Sequence, residues 1–147
     1  MGGIDAAALG AFLVLAVVAD VRRRHVPNSL VATFAIIALV VAGVADGAAG
    51  VSRSVCGFTL GLALLLVPFV LGHIGAGDAK FLGTIGAFLG PRLTLDAFLV
   101  GSVLGGIGAL VALHAVRRHT PAIPYTAPLA AGVVVALVLD GVGIGLL

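Results

Sequence analysis

Residues 55–71 read VCGFTLGLALLLVPFVL. No charge interrupts the stretch, and as a helix rising 1.5 Å per residue it approaches the length needed to cross the hydrocarbon core of a bilayer. Comparable apolar runs lie on both sides of it: about Ala6 to Ala19, Leu30 to Ala45, Phe81 to Gly90, Ala97 to Leu113 and Ala127 to Leu147. The whole 147-residue chain is 61% hydrophobic and only 10% charged, with a mean hydropathy of +1.30. Soluble domains are about one quarter charged, so most of this surface is expected to face lipid. The sequence therefore predicts an all-α fold: one membrane-embedded domain over residues 1–147, a polytopic helical bundle with about six transmembrane helices.

Polar and turn-forming residues separate the runs. Pro27, Asn28 and Ser29 precede the second, Asp46 and Gly47 follow it, Gly90 and Pro91 precede the fifth, and Pro121 and Pro124 precede the sixth. Proline lacks the backbone donor a helix interior uses, whereas Asn and Ser can cap first-turn donors. Pro68, inside the third run, is expected to kink it or end it early. The fourth run is the shortest and must borrow its neighbours around Gly77 to Lys80 to cross, which places Asp78 in the first turn of a helix near the membrane face.

The 22 glycines suit close backbone contact between membrane helices. GxxxG spacings at Gly57 and Gly61, Gly86 and Gly90, Gly101 and Gly105, and Gly141 and Gly145 are read as general helix packing and specify no partner. Cys56 is the only cysteine, which excludes an intrachain disulfide, a CxxC redox pair and a thiolate zinc site. The net charge of +2 includes no basic arm suited to nucleic acid. The first run has no preceding Lys or Arg, so it is expected to be a retained helix rather than a signal peptide.

Cytoplasmic loops hold the excess of Lys and Arg. With the chain starting outside, the first, third and fifth loops carry Arg22, Arg23, Arg24, Lys80, Arg117 and Arg118, against Arg53 and Arg92 on the other side. The echo between Arg22 to Pro27 and Arg117 to Pro121 is read as coincidence, because topology asks for such clusters twice. On this orientation Asp5, Asp46, Asp96 and Asp140 lie on the outer side or outer half, whereas Asp20 and Asp78 share the cytoplasmic boundary.

Ionisable groups at membrane depth carry a functional expectation by default, and these two aspartates can meet. Asp20 ends the first run and leads into Val21, Arg22, Arg23, Arg24, His25, Val26, Pro27 and Asn28; Asp78 follows Gly75, Ala76 and Gly77 and precedes Ala79 and Lys80. Taken singly, Asp20 reads as a solvated boundary carboxylate and Asp78 as a helix cap. A cap needs no glycines at the preceding positions, but a substrate backbone approaching a carboxylate needs the room that Gly75 and Gly77 leave. Two carboxylates at close range share one proton, and such a pair can activate a water against a peptide carbonyl without a metal, a cofactor or a covalent intermediate.

The segment Asp20 to Asn28 and the segment Gly75, Ala76, Gly77, Asp78, Ala79, Lys80 resemble the two signature regions of type IV prepilin peptidases, membrane aspartyl proteases of the GxGD class. Ile123 to Pro128, leading to Gly132, is similar to the proline and aromatic stretch that opens the family's last helix. The resemblance implies catalytic roles for Asp20 and Asp78, a backbone role for Gly75 and Gly77, and a place in the motif for Lys80, either tuning Asp78 or anchoring its helix. It implies prepilin-like substrates, whose short basic leader is cut at the cytoplasmic face of the cell membrane. Longer members add a cytoplasmic insertion, often with paired CxxC motifs, and N-methylate the product. This chain has no cysteines for that insertion, so it is similar to the short peptidase-only form that serves tight-adherence (Flp) pili or archaeal pilins.

His25, His73, His114 and His119 are read as interfacial, and Asp140, inside the last run, receives no firm account. A proton- or cation-coupled transporter subunit is the alternative function, since glycine-broken helices with carboxylates suit that work too. A noncatalytic membrane scaffold would tolerate neutral replacement of either aspartate.

Overall fold

The computed structural model describes residues 3–23, 26–72, 74–115 and 126–143. They form five helices: α1 (Gly3–Arg23), α2 (Asn28–Val70), α3 (Ala76–Leu89), α4 (Pro91–Ala115) and α5 (Thr126–Gly141). Four of the six expected segments fall on α1, α3, α4 and α5, whereas the second and third share α2. They meet at Gly47, whose φ of 59° and ψ of −137° leave the helical region and kink α2 into two halves at the expected break. Only glycine adopts such angles readily. Beyond it the chain folds back: a methyl group at Gly50 would collide with the carbonyl of Ala42, and Arg53 pairs with Asp46 at 2.8 Å.

The chain then punctuates itself as its composition asks. α2 ends two residues after Pro68, where Leu71 N–H donates to the Val67 carbonyl at 3.1 Å and Gly72 N–H to that of Phe69 at 2.9 Å. Gly72 closes the turn with a φ of 76°. Between α3 and α4, Gly90 takes a φ of 77° and Pro91 starts the next helix, the position at which its missing donor costs nothing. α5 stops at Gly141 rather than running through the whole sixth apolar segment, and residues 144–147 lie outside the described ones.

α3 is the centre of the bundle. From Ala79 to Leu89 all but Lys80 are buried, including Phe81, Leu82, Thr84 and Ile85 at 0% exposure. Its contact with the second half of α2 is made backbone to backbone. A methyl group at Gly57 would collide with the Gly86 carbonyl, one at Gly86 with the Gly57 carbonyl, and one at Gly61 would stand 2.5 Å from the carbonyl oxygen of Leu82. The spacings Gly57 to Gly61 and Gly86 to Gly90 are thus the two sides of one internal seam. A second seam joins α4 to α5, where a methyl group at Gly132 would lie 2.5 Å from the Ala97 oxygen and 2.7 Å from the Gly101 Cα. α1 packs beneath through Phe12, whose ring lies 5.3 Å from both Phe34 and Phe81.

The outside of the bundle is apolar. Ile4 on α1, Val44 and Val70 on α2, Val103 on α4 and Val138 on α5 are all more than half exposed, and α3 adds no large exposed apolar side chain. Apolar surface this extensive is foreign to a soluble monomer. Among the described residues Gly3–Arg22 and Asn28–Val70 are long and apolar enough to cross a membrane. α3 needs no such length: its 14 residues span about 21 Å, and protein rather than lipid surrounds them.

The seam carries a stability prediction. Gly57→Val should destabilise the bundle by at least about 1–3 kcal/mol, the usual cost of overpacking, because the opposing atoms are backbone and cannot rotate away. Gly10→Ala, where a methyl group meets nothing within 4 Å, should be neutral or slightly stabilising. Thermal unfolding of both variants in detergent checks this contrast.

Candidate active site

Asp20 lies three residues from the end of α1, half-buried. Asp78 lies in the first turn of α3, also half-buried, beneath a helix whose remaining length is sealed in the bundle. Gly75 precedes that helix in an extended conformation (φ −82°, ψ 155°). Its N–H donates to Asp78 Oδ2 at 3.2 Å, and Asp78 N–H donates back to the Gly75 carbonyl at 3.1 Å. The carboxylate therefore closes the helix start reciprocally, as in a capping box, and its orientation is fixed by its own backbone.

Asp20, Gly75, Gly77, Asp78 and Lys80, named above from sequence, line a single cleft together with Val26, Asn28 and Ala76. Its volume is about 360 Å³, room for a short extended peptide segment and a water. Gly77 has open space where a Cβ would stand, and Gly75 would bring one to 3.7 Å from Asp78 Oδ2, so both glycines leave the approach to that oxygen unobstructed. Two further cavities are apolar and hold no ionisable group: one of about 210 Å³ between the halves of α2 beside Ala87, and one of about 340 Å³ between α1 and α5.

Asp78 stands below the apolar part of α3 and outside both stretches long enough to span. Burial pushes its carboxyl above the usual carboxylate range; the Gly75 N–H opposes that shift, and the charge of Asp20 adds to it. Asp20 is thus close enough for the two carboxyls to feel one another.

Two features of the cleft were not read from sequence. Asn28, expected to help cap α2, does not: Pro27 takes the cap position with no side-chain bond, and Asn28 Oδ1 accepts from Lys80 Nζ at 3.0 Å. The clue was available, since proline at the helix entry leaves the following asparagine one position too late to cap. Val26, 4% exposed, forms an apolar wall of the cleft and carried no sequence signal beyond its place in the motif.

The other aspartates lie elsewhere. Asp46 is paired with Arg53, Asp140 is exposed, and Asp5 lies near the start of α1. Asp96 is 3% exposed, and its Oδ1 has no hydrogen-bond partner. Among the described residues no cluster of His, Cys, Asp and Glu has the three members a metal site needs. Arg24, His25, His73, Arg117, Arg118, His119, Pro121 and Ile123 to Tyr125 lie outside the described residues, as does the side chain of His114.

Residues 7–110 match the family model described as the type IV leader peptidase family. That span contains α1 from residue 7 onward, all of α2 and α3, and every residue lining the cleft. No curated protein and no solved structure matches the chain significantly.

The electrostatic coupling is directly measurable. Asp20→Asn removes a negative charge that disfavours ionisation of Asp78, so the Asp78 titration should move to lower pH while staying above the ordinary aspartate range, because burial remains. Carboxyl ¹³C chemical shifts of aspartate-labelled protein in detergent, followed against pH, report it.

Proposed function

Because the chain belongs to the type IV leader peptidase family, we propose that it is an aspartic endopeptidase that removes the short basic leader of prepilin-like precursors at the cytoplasmic face of the cell membrane. The observation that carries this reading is the convergence of Asp20 and Asp78 on one cleft, with the raised carboxyl at Asp78 and two glycines opening the way to it. The six helical segments, counting the two halves of α2 separately, would each cross the membrane, so that α1, entering from outside, delivers Asp20 to the side on which α3 begins. The charge distribution supports that sidedness. The arginine cluster after Asp20 serves topology, since it would repel a basic leader.

The chemistry assigns different roles to the two carboxyls. Asp20, ionised, takes a proton from a water as the water oxygen bonds to the scissile carbonyl carbon. Asp78, protonated, gives its proton to the carbonyl oxygen, leaving a neutral tetrahedral diol. When the diol collapses, the C–N bond breaks. The proton held on Asp20 passes to the departing nitrogen, and the proton on one diol oxygen returns to Asp78. The pair ends as it began, and neither a metal nor a cofactor enters. Gly75 and Gly77 admit the substrate backbone to the pair. With one cysteine, the chain has no CxxC pair of the kind that accompanies N-methylation, and we assign it the peptidase reaction alone.

Asp20→Asn and Asp78→Asn should each reduce leader removal by at least about a thousandfold, the scale on which loss of a catalytic acid or base acts together with loss of water activation. The mobility shift of a co-expressed prepilin, with membrane insertion of both variants checked in parallel, reads this. Normal processing by either variant would refute the two-carboxylate mechanism. The pH dependence has a fixed sign. Asp78 must be protonated to act, so cleavage should fall as pH rises through its raised pKa, and the alkaline limb should lie above the range of an exposed aspartate.

A further inference from the structure

Three charged groups line the cleft among the described residues: Asp20 from α1, and Asp78 and Lys80 from α3; α2 contributes the neutral Asn28, and the link between α1 and α2 contributes Val26. An ammonium on a flexible four-carbon stem beside two carboxylates would ordinarily settle on one of them, because an ion pair in a partly buried site exceeds a bond to a neutral acceptor. In this structure Lys80 Nζ instead donates to the carboxamide oxygen of Asn28, a residue 52 positions away in sequence, at 3.0 Å.

The place of that bond gives it a consequence. Asn28 sits in the first turn of α2 and Lys80 in the second turn of α3, so the bond ties the two helix starts across the cleft wall. Within α3, Lys80 follows Asp78 by two residues, a spacing that turns the side chains to different faces of the helix. Asn28 holds it on its own side. Released, the ammonium could fold back on the Asp78 carboxyl. That move would favour ionisation of Asp78 and remove the proton that the proposed acid must donate.

We propose that Asn28 is a positioning residue that parks the Lys80 ammonium on a neutral oxygen and so keeps it off the Asp78 carboxyl. Its importance for catalysis rests on the two-carboxylate reading above, but the parking itself is a property of the resting protein. Lys80 in this arrangement is neither the base nor the acid. It contributes a positive charge at the cleft edge, held on the Asn28 oxygen.

The test is a titration without substrate, so its outcome is separate from whether any prepilin is cut. Aspartate-labelled wild type, Asn28→Ala, Lys80→Met and Asn28→Ala/Lys80→Met are compared by carboxyl ¹³C shifts against pH in detergent. Asn28→Ala should move the Asp78 titration to lower pH by about one unit or more, the effect of an opposite charge arriving within a few ångströms. The double variant should return it close to the Lys80→Met position, because the released cation is gone. Asn28→Ser, whose hydroxyl is too short to span to Lys80, should behave like Asn28→Ala and serves if the alanine variant fails to insert. An unchanged titration in the Asn28 variants would overturn the proposal, as would a shift that survives removal of Lys80. If the titrations behave as stated while wild type cuts no prepilin, the parking role stands and the assigned reaction fails.

Discussion

The backbone contact between Gly57 and Gly86 is the constraint from which the rest of the molecule follows. Lipid tails are as apolar as leucine, so helices in a bilayer gain little from burying apolar side chains and must associate by close packing. Here the packing distance is so short that a single methyl group on either side would strike a carbonyl. The approach draws α3 into the centre, with the two halves of α2 folded at Gly47 along it. The buried stretch from Phe81 to Leu89 is a result of that approach rather than of its own hydrophobicity, which its neighbours share.

Once α3 is central, its two ends have different fates. At one end Gly90 and Pro91 return the chain into α4. The other end opens to the cleft, and Asp78, bonded to Gly75 N–H, is presented there by a helix that cannot shift without breaking the seam. α1 docks through Phe12 against Phe81 and Phe34, which brings Asp20 to the same level. Residues distant in sequence thus become neighbours because the aromatic and glycine contacts that place them lie one to three turns deeper in the bundle.

Much of this was legible in the sequence. The all-helical class followed from the apolar runs, and the residues of the cleft followed from sorting six aspartates by side and noting the glycines before one of them. The break between the second and third runs was legible at Asp46 and Gly47, and Gly47 is where the backbone leaves the helical region; what the sequence did not display is that a single glycine makes the bend and that Asp46 pairs with Arg53 across it. The fourth run looked too short because length was judged against lipid, whereas α3 is enclosed by protein. Asn28 was placed in the right motif and given the wrong partner. Capping is a local rule that sequence displays, but a hydrogen bond to Lys80 depends on how two helix starts meet, which only the packed seam determines. The sequence placed Asp140 inside an apolar run and Asp96 just before one, yet Asp96 is buried in α4 and Asp140 is exposed, because exposure depends on which helix face meets a neighbour.

The enclosure of α3 also bears on the membrane in which the chain would work. Helices that touch lipid must adapt to bilayer thickness, by tilting when the hydrocarbon layer is thin and by drawing in their flanks when it is thick. A helix with no lipid-facing side chains feels that demand only through its neighbours. Its 14 residues form an internal ruler, and the level of Asp78 is measured from the protein seam rather than from the headgroups. α1, with apolar side chains exposed along its length, has no such insulation. A change of lipid thickness would therefore act on the pair unequally, tilting the carrier of Asp20 while leaving that of Asp78 in place.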